Sequence, residues 1–118
     1  MTEISLASII QGDQTDSTIR TEGASCGGGE RPSDVYRFTA SEAGPYHFIS
    51  MNDSGGSGTV IYLRSSCSDV LSEVGCGSND NGVEANLEIG ETIYIFVESL
   101  NPMRTHPYTL TAGSGNLP

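Results

Sequence analysis

Val83-Glu84-Ala85-Asn86-Leu87-Glu88-Ile89-Gly90-Glu91-Thr92-Ile93-Tyr94-Ile95-Phe96-Val97-Glu98 decides the fold class of this chain. Over residues 83–89 apolar and polar side chains alternate without a fault, the pattern of a strand with one face in a core and the other in water. Over residues 92–98 both phases are apolar, which requires a central strand covered on each side. Gly90-Glu91 between the two runs predicts a tight hairpin that pairs them. Leu87 and Ile95 fall on the apolar phases and are expected in the core.

The same grammar extends outward. Residues 35–40 and 46–51 read as strands flanking Ser41-Glu42-Ala43-Gly44-Pro45, a turn signal. Residues 59–64 give a further strand after the Gly- and Ser-rich stretch 53–58, and residues 107–112 give the last. Residues 17–21 and 4–10 add candidate strands near the start. Short strands rich in β-branched and aromatic residues, joined by connections too short for crossover helices, imply an all-β, antiparallel β-sandwich. At 118 residues the chain suits one domain. Residues 1–20 read as an N-terminal strand and linker region, 21–112 as the sandwich, and the Gly-rich 113–118 as a C-terminal linker.

The formal net charge is −10, with only five Lys and Arg. Such a field repels phosphate backbones and anionic headgroups, so no nucleic-acid or membrane partner is expected. The dispersed carboxylates fit a solvated, soluble surface. No apolar run approaches the ~20 residues that span a bilayer. Met1-Thr2-Glu3-Ile4 lacks the basic region and cleavage site of a signal peptide, so export would depend on a segment outside these residues.

Three cysteines occur, Cys26, Cys67 and Cys76. Eight residues separate Cys67 from Cys76, a spacing that favours a disulfide between them; the loop-entropy model values such a bridge at roughly 2–3 kcal/mol. A disulfide places the protein in an oxidising compartment, secreted or extracellular. A zinc site is a poor alternative, because there is no C-x-x-C and neither His47 nor His106 stands at ligand spacing from a cysteine. Cys26 is left over, as a buried thiol, a link to another chain, or a bridge to a cysteine elsewhere.

Catalytic motifs are wanting. Gly27-Gly28-Gly29 leads into Glu30-Arg31-Pro32 rather than a helix with its lysine, so it is no phosphate loop. No serine stands in G-x-S-x-G, and His47 alternates outward as a surface histidine. Tyr62, Tyr94 and Phe96 could form a carbohydrate platform, though core packing explains them more simply. Acidic turns recur at Asp13 and Asp16, at Asp34, and at Asn79-Asp80-Asn81. Their oxygens suit calcium, but on spacing alone the Asx turns that punctuate β-proteins are the commoner use.

The runs Cys26-Gly27-Gly28-Gly29, Ser33-Asp34-Val35-Tyr36-Arg37-Phe38-Thr39-Ala40 and Ala43-Gly44-Pro45-Tyr46-His47-Phe48 carry a resemblance, as do Val60-Ile61-Tyr62-Leu63-Arg64-Ser65-Ser66-Cys67 and Cys76-Gly77-Ser78-Asn79-Asp80. With residues 88–98 and 107–111, their order and spacing resemble the bacterial pre-peptidase C-terminal (PPC) domains, especially the cysteine-containing variety of secreted multidomain proteins. The resemblance implies a jelly-roll sandwich appended to exported proteases and other secreted proteins, usually without catalysis of its own. Some relatives bind calcium through the N-terminal linker and the Asp before the aromatic strand, and clostridial collagenase relatives bind collagen. By position, Asp34 matches that Asp, and Asp13 and Asp16 fall in the linker. Gly58 and Asn81 stand where the family often carries Asp, which removes two potential ligands.

The expected function is a non-catalytic accessory domain, with a stabilising, targeting or binding role beside a covalently linked catalytic or adhesive domain. The alternative is a carbohydrate- or matrix-protein-binding module. Calcium is the expected cofactor, bound by Asp13, Asp16 and Asp34. A non-reduced tryptic map of protein made in an oxidising compartment is expected to show the Cys67 and Cys76 peptides linked; recovery of both as free thiols would contradict the pairing.

Overall fold

The alternating and doubly apolar runs become strands of two facing sheets. The computed structural model describes residues 2–6, 9–12, 18–20, 31–52, 59–66, 69–78, 82–99 and 108–116. Among them the strands are β1 (Thr2–Glu3), β2 (Ile9–Gly12), β3 (Thr18–Arg20), β4 (Arg31–Thr39), β5 (Gly44–Asn52) and β6 (Thr59–Arg64). Then come β7 (Glu73–Ser78), β8 (Val83–Leu87), β9 (Thr92–Ser99) and β10 (Tyr108–Ser114), with a 3₁₀ turn at Val70–Ser72. One sheet has the order β1-β4-β9-β6-β7, with β3 also on β4, and the other has β2-β10-β5-β8. All pairs are antiparallel except β1 with β4. From β4 onward only β6 and β7 are consecutive strands of one sheet. The other connections cross between layers, in the jelly-roll manner.

Between the sheets lies the main core. Tyr36, Phe38, Ile61, Leu63, Ile93, Ile95 and Val97 enter it from one layer, and Tyr46, Phe48, Val83, Leu87, Leu110 and Ala112 from the other. Phe38 meets Tyr46 and Phe48 edge-on across the layers, at centroid distances of 5.1 and 5.2 Å. Such aromatic pairs add about 0.5–1.5 kcal/mol beyond burial. A second cluster, Val60, Tyr62 and Phe96, covers the opposite face of the first sheet, with Val35, Tyr94 and Cys76 against it. Central β9 is thus apolar on both phases because it faces a core on both sides.

The hairpin expected between residues 83–89 and 92–98 does not form. β8 pairs with β5 in one sheet, and β9 pairs with β4 and β6 in the other. The connection is an arch, pinned to the end of β4 by Gly90 N–H to Ala40 O (2.8 Å) and Ala40 N–H to Glu91 O (2.9 Å). Ile89, which extended the apparent alternation, is 73% exposed and belongs to the arch. A short loop makes neighbouring strands antiparallel in direction; it does not oblige them to share hydrogen bonds.

β7 is absent from the sequence pattern because Glu73-Val74-Gly75-Cys76-Gly77-Ser78 looks like turn sequence. The glycine at 77 serves close approach instead, since a Cβ there would lie 2.0 Å from the Gly82 carbonyl oxygen. The candidate strand at 4–10 is split: Ile4 is buried between β1 and β2. Strands from the first twenty residues pair into both sheets, and β10 continues to Ser114. The boundaries placed after residues 20 and 112 therefore fall inside the sheet architecture.

Leu87 and Ile95 are buried, 4% and 0% exposed. Replacing either with Ala is expected to lower unfolding free energy by about 2–5 kcal/mol, the range for emptying a core site. Ile89→Ala should change it by less than about 0.5 kcal/mol, as at other exposed sites. Urea unfolding of the three variants checks both the strand phase and the arch.

Candidate functional site

Asp34 on β4 and Tyr108 at the start of β10 belong to different sheets, and a chain of hydroxyls joins them. Tyr108 donates its phenolic proton to Asp34 Oδ2 at 2.5 Å. The Tyr36 oxygen lies 2.5 Å from that of Tyr108. A phenol has one proton, and Tyr108 spends it on the carboxylate, so Tyr36 is the donor to Tyr108. Both rings face inward at the end of the sandwich, where a buried hydroxyl must find a partner.

Gly12, in register with Tyr108 across β2 and β10, completes the arrangement. A Cβ on Gly12 would stand 2.5 Å from the Tyr108 hydroxyl and 3.0 Å from that of Tyr36. The absence of a side chain lets the two phenols meet over the β2 backbone. Asp13 follows Gly12 in the sequence. Asp13 and Asp16 themselves lie outside the described residues, as do Gly58, Asn81, Cys26 and Cys67. Among the described residues no three His, Cys, Asp or Glu side chains gather as a metal centre would require.

Burial, reinforced by the hydrogen bonds to Asp34 and Tyr36, pushes the Tyr108 phenol far above its ordinary pKa of 10.0. It stays neutral at any working pH, so it acts as a donor and not as a base or nucleophile. The arrangement presents a carboxylate oxygen held in place by a donor, at the junction of both sheets and the N-terminal strand. That is hard-oxygen chemistry, the ligand type that calcium takes. Tyr36 and Tyr108 are missing from the site residues expected on sequence, because inward tyrosines read as core. The usable signal is that two buried phenols near strand ends need hydrogen-bond partners.

A second polar link joins the layers at the same end. Thr59 Oγ1 donates to the Ser50 carbonyl at 3.0 Å, which leaves the Ser50 hydroxyl to donate to Thr59 Oγ1 at 2.6 Å. On the outer face of the first sheet, Tyr62 and Phe96 stack at 4.7 Å and the Arg64 guanidinium lies 4.6 Å from the Phe96 centroid. Tyr62 donates to Glu98 Oε2 at 2.9 Å. Tyr62, Phe96, Glu98 and Arg64 are buried, which makes this stack part of the protein's framework. Tyr62 and Phe96 therefore form no exposed carbohydrate platform. Cys76 packs against the same cluster. His47 does face outward but is half-buried, its Nδ1 3.0 Å from the Gly115 carbonyl.

No family model matches the chain, and no curated protein matches it. Among solved structures it is similar to the crystal structure of the pre-peptidase C-terminal domain of collagenase from Bacillus anthracis. The two share 22% sequence identity over 94% of this chain and 92% of that one, with a TM-score of 0.59. The chain is thus a PPC-like β-sandwich in fold, over nearly its whole length.

Removing the Tyr108 hydroxyl takes a charge-assisted bond from Asp34, so Tyr108→Phe is expected to cost about 1–3 kcal/mol. The phenol binds its proton more tightly when folded. Its contribution is therefore full below pH 10.0, the ordinary value, and declines as the unfolded chain ionises above it. Urea midpoints between pH 8 and 11.5 (roughly straddling the phenol range) should fall more steeply for the wild type than for Tyr108→Phe. Equal slopes would show that Tyr108 is not held neutral by the fold.

Proposed function

We propose that this chain is a non-catalytic accessory module of a secreted multidomain protein, linked covalently to a catalytic or adhesive domain. The observation that carries this reading is the end-to-end likeness in fold to a collagenase's pre-peptidase C-terminal domain. The geometry is consistent with it: the Tyr36–Tyr108–Asp34 chain that reaches both sheets offers oxygen ligands rather than an acid–base pair. The role is stabilising, targeting or binding. Deleting the domain from its parent protein should leave turnover of a small soluble substrate within about twofold, while lowering stability or retention on a macromolecular target. Hydrolysis of such a substrate by the isolated chain would overturn the reading.

A binding role has support of its own. The outer face of the second sheet carries Ile9 and Met51, 72% and 55% exposed, beside half-buried Ile49, Thr109 and Thr111. Every Tyr and Phe in the chain is buried or half-buried, so sugar stacking has little to work with. An extracellular matrix protein is the better-supported ligand of the two alternatives. Collagen pull-down with the wild type and with Met51→Glu tests it, the variant being expected to lose retention.

The Cys67–Cys76 pairing belongs to this proposal, closing the loop that contains the 3₁₀ turn and fitting an oxidising compartment. So does calcium, held by Asp34 with Asp13 or Asp16. Gly12 supports it by bringing the chain that leads into Asp13 against the Tyr108 hydroxyl that holds Asp34. Binding that favours the folded state adds RT ln(1 + [L]/Kd), about 1.4 kcal/mol at a tenfold excess over Kd. Thermal unfolding is expected to show a midpoint raised by calcium and not by magnesium at equal ionic strength. The rise should vanish in Asp34→Ala. An equal response to magnesium, or in the variant, would reduce these carboxylates to turn formers.

A further inference from the structure

We propose that His47, Gly113 and Gly115 form a latch that makes the C-terminal end of β10 a rigid exit, so that the backbone arrives at Asn116 in one fixed direction. The composition of residues 113–118 reads as a flexible linker, and the geometry gives two of its glycines a different purpose. Gly113 stands opposite His47 in the β10–β5 register. A Cβ on Gly113 would lie 2.5 Å from both Cε1 and Nε2 of the imidazole. The bare backbone is therefore a seat for the ring.

From that seat the ring reaches the next turn of chain. A carbonyl oxygen only accepts, so the 3.0 Å contact between His47 Nδ1 and Gly115 O makes Nδ1 the protonated nitrogen. Gly115 is held from its other side as well, its N–H bonded to the Pro45 carbonyl at 2.8 Å. Its φ of +92° lies in the left-handed region, where a side chain would be strained. Both backbone groups of Gly115 are thus tied to β5, two residues apart on the same strand. Asn116, the next residue, lines a shallow groove with Val74, Glu84, Ala85 and Asn86. The exit is directed along the β7 and β8 side of the molecule.

The latch is a mechanical device. It fixes the orientation of the backbone up to Asn116, which a Gly-Ser hinge would not do.

Amide hydrogen exchange on the intact chain tests the proposal. In His47→Ala the Gly115 amide should exchange about tenfold faster, the worth of a lost hydrogen bond, while Ile95 and Val97 on central β9 keep their protection. His47→Asn, which keeps a donor near the Nδ1 position, should stay within about threefold of the wild type. Gly113→Ala should displace the ring and reproduce the loss with His47 still present; if that variant does not fold, the His47 pair decides. Nitrogen shifts of the neutral ring should report a proton on Nδ1. Unchanged Gly115 exchange in His47→Ala, an equal loss of protection at Ile95 and Val97, or a neutral ring protonated at Nε2 would each overturn the latch.

Discussion

A strand that is apolar on both phases has no solvent face to offer, and β9 imposes that constraint on the whole molecule. Ile93, Ile95 and Val97 face the main core, while Phe96 faces the second cluster on the other side of its sheet. Such a strand must also be paired along both edges. β4 takes one edge and β6 takes the other. Once both are filled, β8 has no place beside β9, however short the loop between them, and it must cross to the second layer. β8 alternates because its layer has one core face and one open face; β9 does not because the outer face of its layer is also covered where Phe96 packs with Val60 and Tyr62.

The same constraint explains what could be read from sequence. Strand existence and phase were legible wherever burial wrote a period, as at Leu87, Ile95 and Tyr46, because a one-residue slip would reverse every side chain. Partner choice was not legible. Residues 88–91 specify a reversal of direction, and only the competition for the edges of β9 decides that the reversal is an arch. β7 was hidden for a different reason: Gly75 and Gly77, placed for close approach to Val83 and Gly82, carry the composition of a turn. At the candidate site, Asp34 stood out as a strand-leading carboxylate, whereas Tyr36 and Tyr108 looked like ordinary core. Their hydroxyls acquire meaning only when two sheets bring β4 and β10 together.

Dispersion across the core resists separation of the layers but leaves sliding cheap, because apolar contacts carry little directional preference. Among the described residues, two directional links between the layers lie at one end. Tyr108 to Asp34 joins β10 to β4, and Ser50 with Thr59 joins β5 to β6. The register places these links together, since Tyr108 stands opposite both Gly12 and Asn52 and Thr59 stands opposite Ser99. A ligand that drew on Asp34 would therefore act on the contact that sets the offset of the two sheets. It would register as stability of the whole sandwich rather than of one loop.

Glycine is abundant here, with 15 in the chain, and abundance alone suggests looseness. Gly12 and Gly113 argue otherwise. Each lies in a strand where a ring from a neighbouring strand occupies the space a Cβ would take, Tyr108 over one and His47 over the other. Glycine in a strand costs roughly 0.5–1 kcal/mol of backbone entropy relative to alanine. The cost is offset when the vacated volume lets a buried donor reach its acceptor, because leaving that acceptor unmet would cost about 1–3 kcal/mol. At both positions the ring delivers a hydrogen bond, to Asp34 in one case and to Gly115 in the other. The small side chain is therefore a packing requirement set by its neighbour, and substitution there should cost order at the ring's far end before it costs anything at the glycine.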